Sequence, residues 1–204
     1  MTIEQLDRDA LTELFNIGLH RAAASLSELT GQRIIVDLPR LWVCPIEETH
    51  SRLLELLEGD LATVHQIFKG PVTGDAVLVL EYRNAARLAG LMTDGGVAVG
   101  GRLDQSAREV IAEVGNVILS SCLSAFGDML HVSVSFSVPR IHVESLEGLL
   151  RSLVVDNQDL HYALIAATRF RLSEGEVGGY LLIAVGMTSL SLITRALAAR
   201  ETSA

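Results

Sequence analysis

Shifting the 204-residue sequence against itself by 100 positions places Glu13 on Glu113, Asn16 on Asn116 and Pro39-Arg40 on Pro139-Arg140. The same shift sets acidic Asp9 on Glu109, and apolar Leu11, Leu14, Ile17 and Leu19 on Ile111, Val114, Val117 and Leu119. The Asn-to-Pro spacing is ungapped in both copies. A period of this length constrains the fold more than any bulk property, because each half must then build the same order of elements. Two unrelated amphipathic helices would readily match at their apolar positions. They would not also match at Glu, Asn, Pro and Arg, so duplication is the preferred reading, with repeats 1–100 and 101–204.

Each half reads in one order. A long helix without proline is expected over about 2–30, with Thr2 and Gln5 spaced as a capping box, and again from Asp104, a plausible N-cap, to Met129. Strands follow at Arg33 to Leu38 and His131 to Val138, each expected to end at proline, which cannot donate to a ladder. Short helices are expected near Glu47 to Leu57 and Glu144 to Ser152. Two strand pairs come next, about 61–68 with 76–82 and 161–171 with 179–185, where short connections favour antiparallel pairing. Helices near 84–92 and 189–199 close the halves. Thr93 to Gly101 carries four glycines and is too short for a flexible linker between independent domains. The expected fold is α/β of the α+β type: one pseudosymmetric domain over 1–204, from a duplicated helix-strand-helix-strand-strand-helix unit with a mostly antiparallel sheet.

Composition narrows the function. The formal charge of −9 argues against a nucleic-acid footprint, which needs clustered Lys and Arg, and favours a lysine-bearing partner. No stretch reads as the roughly 18–20 apolar residues of a membrane span, and no secretory leader is apparent. Cys44 and Cys122 are too few for a disulfide scaffold and read as buried thiols in a reducing cytoplasm.

Glu109, Glu113, Asn116 and Ser120 are spaced four, three and four apart, which puts them on one helix face, and Asp9, Glu13, Asn16 and His20 repeat the pattern. One Glu-x-x-Asn alone is an ordinary solvated face. Two mid-helix asparagines of mediocre propensity need another explanation. Small residues around them (Gly18, Ala22, Ala23 and Ala24; Gly115, Ser120 and Ser121) are expected to let another surface approach closely.

These residues resemble the CheC/CheX/FliY phosphatases of bacterial chemotaxis. That family's signature is Asp or Ser, three residues, Glu, two residues, Asn, twenty-two residues and Pro. The first half matches at Asp9, Glu13, Asn16 and Pro39, and the second at Glu113, Asn116 and Pro139, with Glu109 in the Asp/Ser place. Phe15 stands where the family often has glycine, whereas Gly115 keeps it. Two sites without an added flagellar-switch segment look most like the CheC branch. The resemblance implies hydrolysis of an aspartyl phosphate on a CheY-type response regulator. Asn16 and Asn116 would orient the attacking water, as glutamine does in small GTPases. Glu13 and Glu113 would pair with a lysine of the regulator, and Asp9 and Glu109 would assist the contact. The chain would bind no cofactor of its own, the Mg²⁺ belonging to the regulator. CheD is a further implied partner. The alternative is a non-catalytic adaptor for CheD or a flagellar switch protein.

Other candidates read more simply. The six histidines are scattered, Cys122 has no phosphatase-loop arginine, Ser120 and Ser121 lie outside a nucleophile elbow, and Gly95, Gly96, Gly100 and Gly101 lack a phosphate-loop Lys. Trp42 is expected to pack.

Overall fold

Apolar residues at helical spacing, uninterrupted by proline, make two helices of 23 and 26 residues, and the rest of the chain is arranged around them. A computed structural model describes residues 8–92, 103–155, 160–172 and 175–201. In chain order the elements are α1 (Arg8–Thr30), β1 (Ile35–Val36), β2 (Arg40–Pro45), a 3₁₀ turn (Ile46–Glu48) running into α2 (Thr49–Leu54), β3 (Leu61–Lys69), β4 (Gly74–Glu81), α3 (Tyr82–Met92), α4 (Gln105–Leu130), β5 (Ser135–Phe136), β6 (Arg140–Glu144), α5 (Leu146–Val155), β7 (Tyr162–Leu172), β8 (Gly175–Val185) and α6 (Met187–Glu201).

Asp104 caps α4 as its sequence position suggests, its carboxylate accepting from the Ala107 N–H at 2.8 Å. Both long helices stop at a left-handed residue, Gly31 (φ 67°) after α1 and His131 (φ 53°) after α4. At the second stop the His131 and Val132 N–H groups donate to the Asp128 and Gly127 carbonyls, a Schellman closure.

The strands form one antiparallel sheet in the order β1-β7-β8-β4-β3-β5, with β2 continuing along β7 and β6 along β3. Each half therefore lends its edge to the other: Arg40–Pro45 pairs with β7, and Arg140–Glu144 with β3. At the centre β4 and β8 join the halves directly. Alternation splits β4 between two cores. Ala76, Leu78 and Leu80 face α1, α3, α4 and α6, while Val77 and Val79 face α2 and α5. Fully buried Leu11, Phe15, Leu19, Ile111 and Ile118 knit α1 and α4 to the first core, at about 1.5–3 kcal/mol for each large side chain. The Phe15 ring meets Phe126 edge-on at 5.4 Å.

The mixed α/β fold, the long helices and the antiparallel hairpins agree with the sequence reading, but each half of the chain has one more strand than expected. Pro39 and Pro139 do not end their strands. They interrupt an edge, after which β2 and β6 resume on the same partner. A proline removes one donor, and an edge strand can lose one rung without losing its neighbour. The strands expected at Arg33 to Leu38 and His131 to Val138 shrink accordingly to two residues each. The capping box at Thr2 and Gln5 and the glycine segment Thr93 to Gly101 lie outside the described residues. By length and composition α4 could cross a bilayer, contrary to the sequence reading. It instead buries its apolar stripe, Ile111, Val114, Ile118, Leu119, Cys122 and Leu123 among it, in the helix-side core.

Candidate functional site

The candidate residues occupy equivalent places on α1 and α4. Glu13 and Glu113 are exposed, Asn16 and Asn116 are half-buried, and the burial alternation over 11–19 matches that over 111–119. The asparagines are thus not the exposed residues the sequence suggested. They stand at the rim where helix meets sheet, which leaves an amide partly dry and partly available to solvent. Asp9 and Glu109 are exposed two turns before them, and Glu109 accepts from Gln105 Nε2 at 3.0 Å.

At the second site Asn116 is held from below. Its Oδ1 accepts from Gln66 Nε2 at 3.1 Å, and the same nitrogen donates to the Ser137 carbonyl at 3.1 Å. Gln66 is 2% exposed and comes from β3, in the other half of the chain. Ser120, one turn on, returns its hydroxyl to the Asn116 carbonyl at 2.6 Å.

At the first site the arrangement differs. Asn16 Nδ2 donates to Glu13 Oε2 at 3.4 Å, while its Oδ1 is buried and finds no partner among the described residues. The pairings Phe68↔Phe136 and Val36↔Phe170 make Thr168 the counterpart of Gln66. Thr168 donates to the Asp37 carbonyl at 2.8 Å, as Gln66 does to Ser137, and has no amide to extend to Asn16.

The fixed distance from Asn to Pro acquires a reason here. Where Pro139 breaks the edge, Ser137 keeps its N–H on the Ile67 carbonyl at 2.9 Å, and its hydroxyl accepts from the Ile67 N–H at 3.0 Å. Its own carbonyl is left to the Gln66 side chain, beside Asn116. At the first site the Asp37 N–H donates to the Arg169 carbonyl and Thr168 takes the Asp37 carbonyl. The proline break and the asparagine are two sides of one junction. Leu38 and Val138, each just before its proline, are 68% and 80% exposed.

Four of the small residues, Gly18, Ala22, Ala23 and Gly115, serve a different purpose from the one expected, whereas Ala24 is exposed and Ser120 and Ser121 are half-buried. Gly18, Ala22 and Ala23 are buried, and a Cβ on Gly18 would lie 2.6 Å from the Cys122 Cα, so α1 and α4 cross there. A Cβ on Gly115 would lie 2.7 Å from Val64 side-chain atoms. The surface they admit is the protein's own, because a helix packed this tightly against a helix or strand leaves no room for a side chain. Phe15, the counterpart of Gly115, is fully buried instead.

Burial pushes the Cys122 thiol up to about 12, which leaves it unsuited to nucleophilic work. Trp42 packs against the α2/α5 core as expected. Sequence reasoning passed over one cluster on that face. His65 Nε2 lies 3.2 Å from Thr63 Oγ1 and 3.4 Å from Glu144 Oε1, its Nδ1 lies 3.9 Å from Asp75, and the His142 ring meets it edge-on at 5.2 Å. Burial alone would lower the His65 pKa, but Asp75 and then Glu144 outweigh it, and the pKa is raised. The members come from three strands, so no local spacing announces them. The two carboxylates address opposite ring nitrogens. Among the described residues no group of three or more His, Cys, Asp or Glu forms a metal site.

With this geometry in view, similarity to known proteins can be placed. No protein-family model matches the chain. It is 23% identical over 142 residues to the flagellar motor switch phosphatase FliY of Bacillus subtilis, covering 69% of this chain and 36% of that protein. It is 24% identical over 131 residues to the putative CheY-P phosphatase CheC1 of Halobacterium salinarum, covering 64% and 66%. It is 23% identical to the CheY-P phosphatase CheC of Bacillus subtilis, covering 90% and 96%. The chain thus spans little more than a third of that FliY. Among solved structures, Thermotoga maritima FliY superposes with a TM-score of 0.76 at 19% identity over 97% of this chain and 98% of that one. The FliM middle domain of H. pylori gives 0.66 at 10% over 96% and 99%. CheX of Desulfovibrio desulfuricans gives 0.51 at 16% over 84% and 99%.

The fold is therefore that of chemotaxis and flagellar-switch α/β domains. Within that class, the curated relatives are FliY and CheC proteins at 23–24% identity, and they support the resemblance to the CheC/CheX/FliY family.

Proposed function

We propose that this chain is a CheC-like phosphatase that hydrolyses the aspartyl phosphate of a CheY-type response regulator in chemotaxis signalling, working in the cytoplasm. The observation that carries the reading is the pair of Glu-Asn constellations at equivalent rim positions on α1 and α4, each with an exposed carboxylate and a half-buried amide. Two relatives named for CheY-P phosphatase activity support it.

An aspartyl phosphate is an acyl phosphate with a good leaving group, so its hydrolysis needs a positioned water more than a strong base. Water attacks phosphorus in line, the bond from phosphorus to the aspartyl oxygen breaks, and the products are inorganic phosphate and the free carboxylate. In this reading the Asn16 or Asn116 amide holds the water, and Glu13 or Glu113 pairs with a lysine of the regulator and sets the docking angle. Asp9 and Glu109 add negative charge at the approach. The Mg²⁺ that neutralises the phosphoryl oxygens resides in the regulator.

A second reading, a non-catalytic adaptor for CheD or a switch protein, draws on the shared fold of the FliM middle domain. Phosphate release from a phosphorylated CheY-type receiver with Mg²⁺ separates the two. Faster release that the double substitution Asn16→Ala/Asn116→Ala abolishes supports the phosphatase. Unchanged release, with capture of CheD regardless of receiver phosphorylation, supports the adaptor.

A further inference from the structure

We infer that Gln66 is a positioning residue for Asn116, and that the two sites are chemically unequal because Thr168 occupies its place at the first. The inference rests on the phosphatase reading for its kinetic consequence, and on geometry alone for the contact itself.

Gln66 sits 2% exposed on the helix side of β3, where its neighbours in the strand, Val64 and Phe68, are apolar. A buried carboxamide is costly unless its polar atoms are matched. Its two N–H donors are both used, one on Asn116 Oδ1 and one on the Ser137 carbonyl, each at 3.1 Å, while its own Oε1 is buried with no partner among the described residues. The second bond satisfies a carbonyl that the proline break frees from the ladder. Thr168 performs that task at the first site with a shorter side chain. Saturating the carbonyl therefore does not require glutamine. What glutamine adds is reach to the helix asparagine.

The consequence is a difference in how firmly the amide is held. With Oδ1 occupied, the Asn116 amide is turned so that its Nδ2 is the end left for water or a phosphoryl oxygen, before any partner docks. The Asn16 amide also carries its Oδ1 inward, but there it is buried with no partner among the described residues, while its Nδ2 leans on Glu13 at 3.4 Å. No hydrogen bond among the described residues holds that amide from below, so it must be ordered as the partner docks. An amide fixed in advance saves that reorganisation at the moment of reaction. The second site is accordingly the faster one, through a residue contributed by the first half of the chain.

The decisive variant is Gln66→Thr, which copies the first site: it can still serve the Ser137 carbonyl but cannot reach Asn116. In an Asn16→Ala background, kcat for phosphate release is expected to fall about tenfold, with KM for the phosphorylated receiver held by Glu113 and so unchanged. Conversely, Thr168→Gln in an Asn116→Ala background is expected to raise kcat at the first site. The Asn116 side-chain amide signals in a ¹⁵N-labelled protein should shift in Gln66→Thr while the Asn16 signals stay in place. A kcat within twofold of the parent, or unmoved Asn116 signals, would overturn the inference. Should the wild-type protein accelerate no receiver's dephosphorylation, the phosphatase reading is what fails, and the amide signals alone then decide whether Gln66 holds Asn116.

Discussion

The two ends of the sheet present the same helix, the same Glu-Asn pair and the same proline break, yet they treat their asparagine differently. Asn116 Oδ1 is braced by a glutamine from the opposite half, whereas Asn16 leans on its own helix neighbour and its Oδ1 finds no partner among the described residues. A symmetric frame with unequal inserts is what edge exchange permits. Each site combines a helix from one half with a strand from the other, β3 beside α4 for Asn116 and β7 carrying Thr168 for the first site. One substitution in a strand can therefore alter one site and leave its twin alone.

The packing beneath the helices is unequal in the same way. Gly18→Ala is expected to destabilise the protein most, by up to about 3 kcal/mol, because the new Cβ would meet the Cys122 Cα at 2.6 Å and backbone cannot swing aside. Gly115→Ala is expected to cost somewhat less, about 2 kcal/mol, because the obstacle is the stiff Val64 side chain, whose Cβ and both γ-carbons would lie 2.7–2.8 Å away, rather than backbone. Urea denaturation of both variants checks the order, and equal losses would contradict the asymmetry.

The cores on the two faces of the sheet differ too, since among the described residues only the α2/α5 face carries a half-buried histidine between carboxylates. A histidine whose pKa is raised by folding contributes stability fully below its unfolded value of about 6.5, and loses that contribution as pH rises through the folded value. Wild-type stability is therefore expected to fall as pH rises above about 6.5, more than that of His65→Gln. Thermal unfolding across that range tests it, and parallel pH profiles would remove His65 from the account. The smallest effect is expected at the helix ends. His131→Gly should stabilise by about 0.5–1 kcal/mol by relieving a left-handed residue, whereas Gly31→Ala should destabilise by a similar amount.

Much of this was legible in the sequence, for physical reasons. The long helices announce themselves by period and, for α4, by the Asp104 cap, and the two strand pairs by apolar runs around short turns. The Glu-Asn pairs and their prolines were visible as a repeated constellation. Three things were not. The strands β2 and β6 were hidden because proline reads as a terminator, and only an edge position tells interruption from ending. The edge exchange joins Arg40 to Ala167 and Arg140 to His65, over separations that leave no local pattern. Gln66 looked like one polar residue in a strand, since its two acceptors come from α4 and from the segment before Pro139.

The measurement that bears most directly on the account is phosphate release from one phosphorylated CheY-type receiver, with Mg²⁺, by Asn16→Ala and Asn116→Ala side by side. The account predicts a loss of about tenfold for Asn116→Ala and less than about twofold for Asn16→Ala. Equal losses, or a larger loss for Asn16→Ala, would contradict the braced second site, and no loss in either or in the double variant would contradict the Glu-Asn mechanism itself.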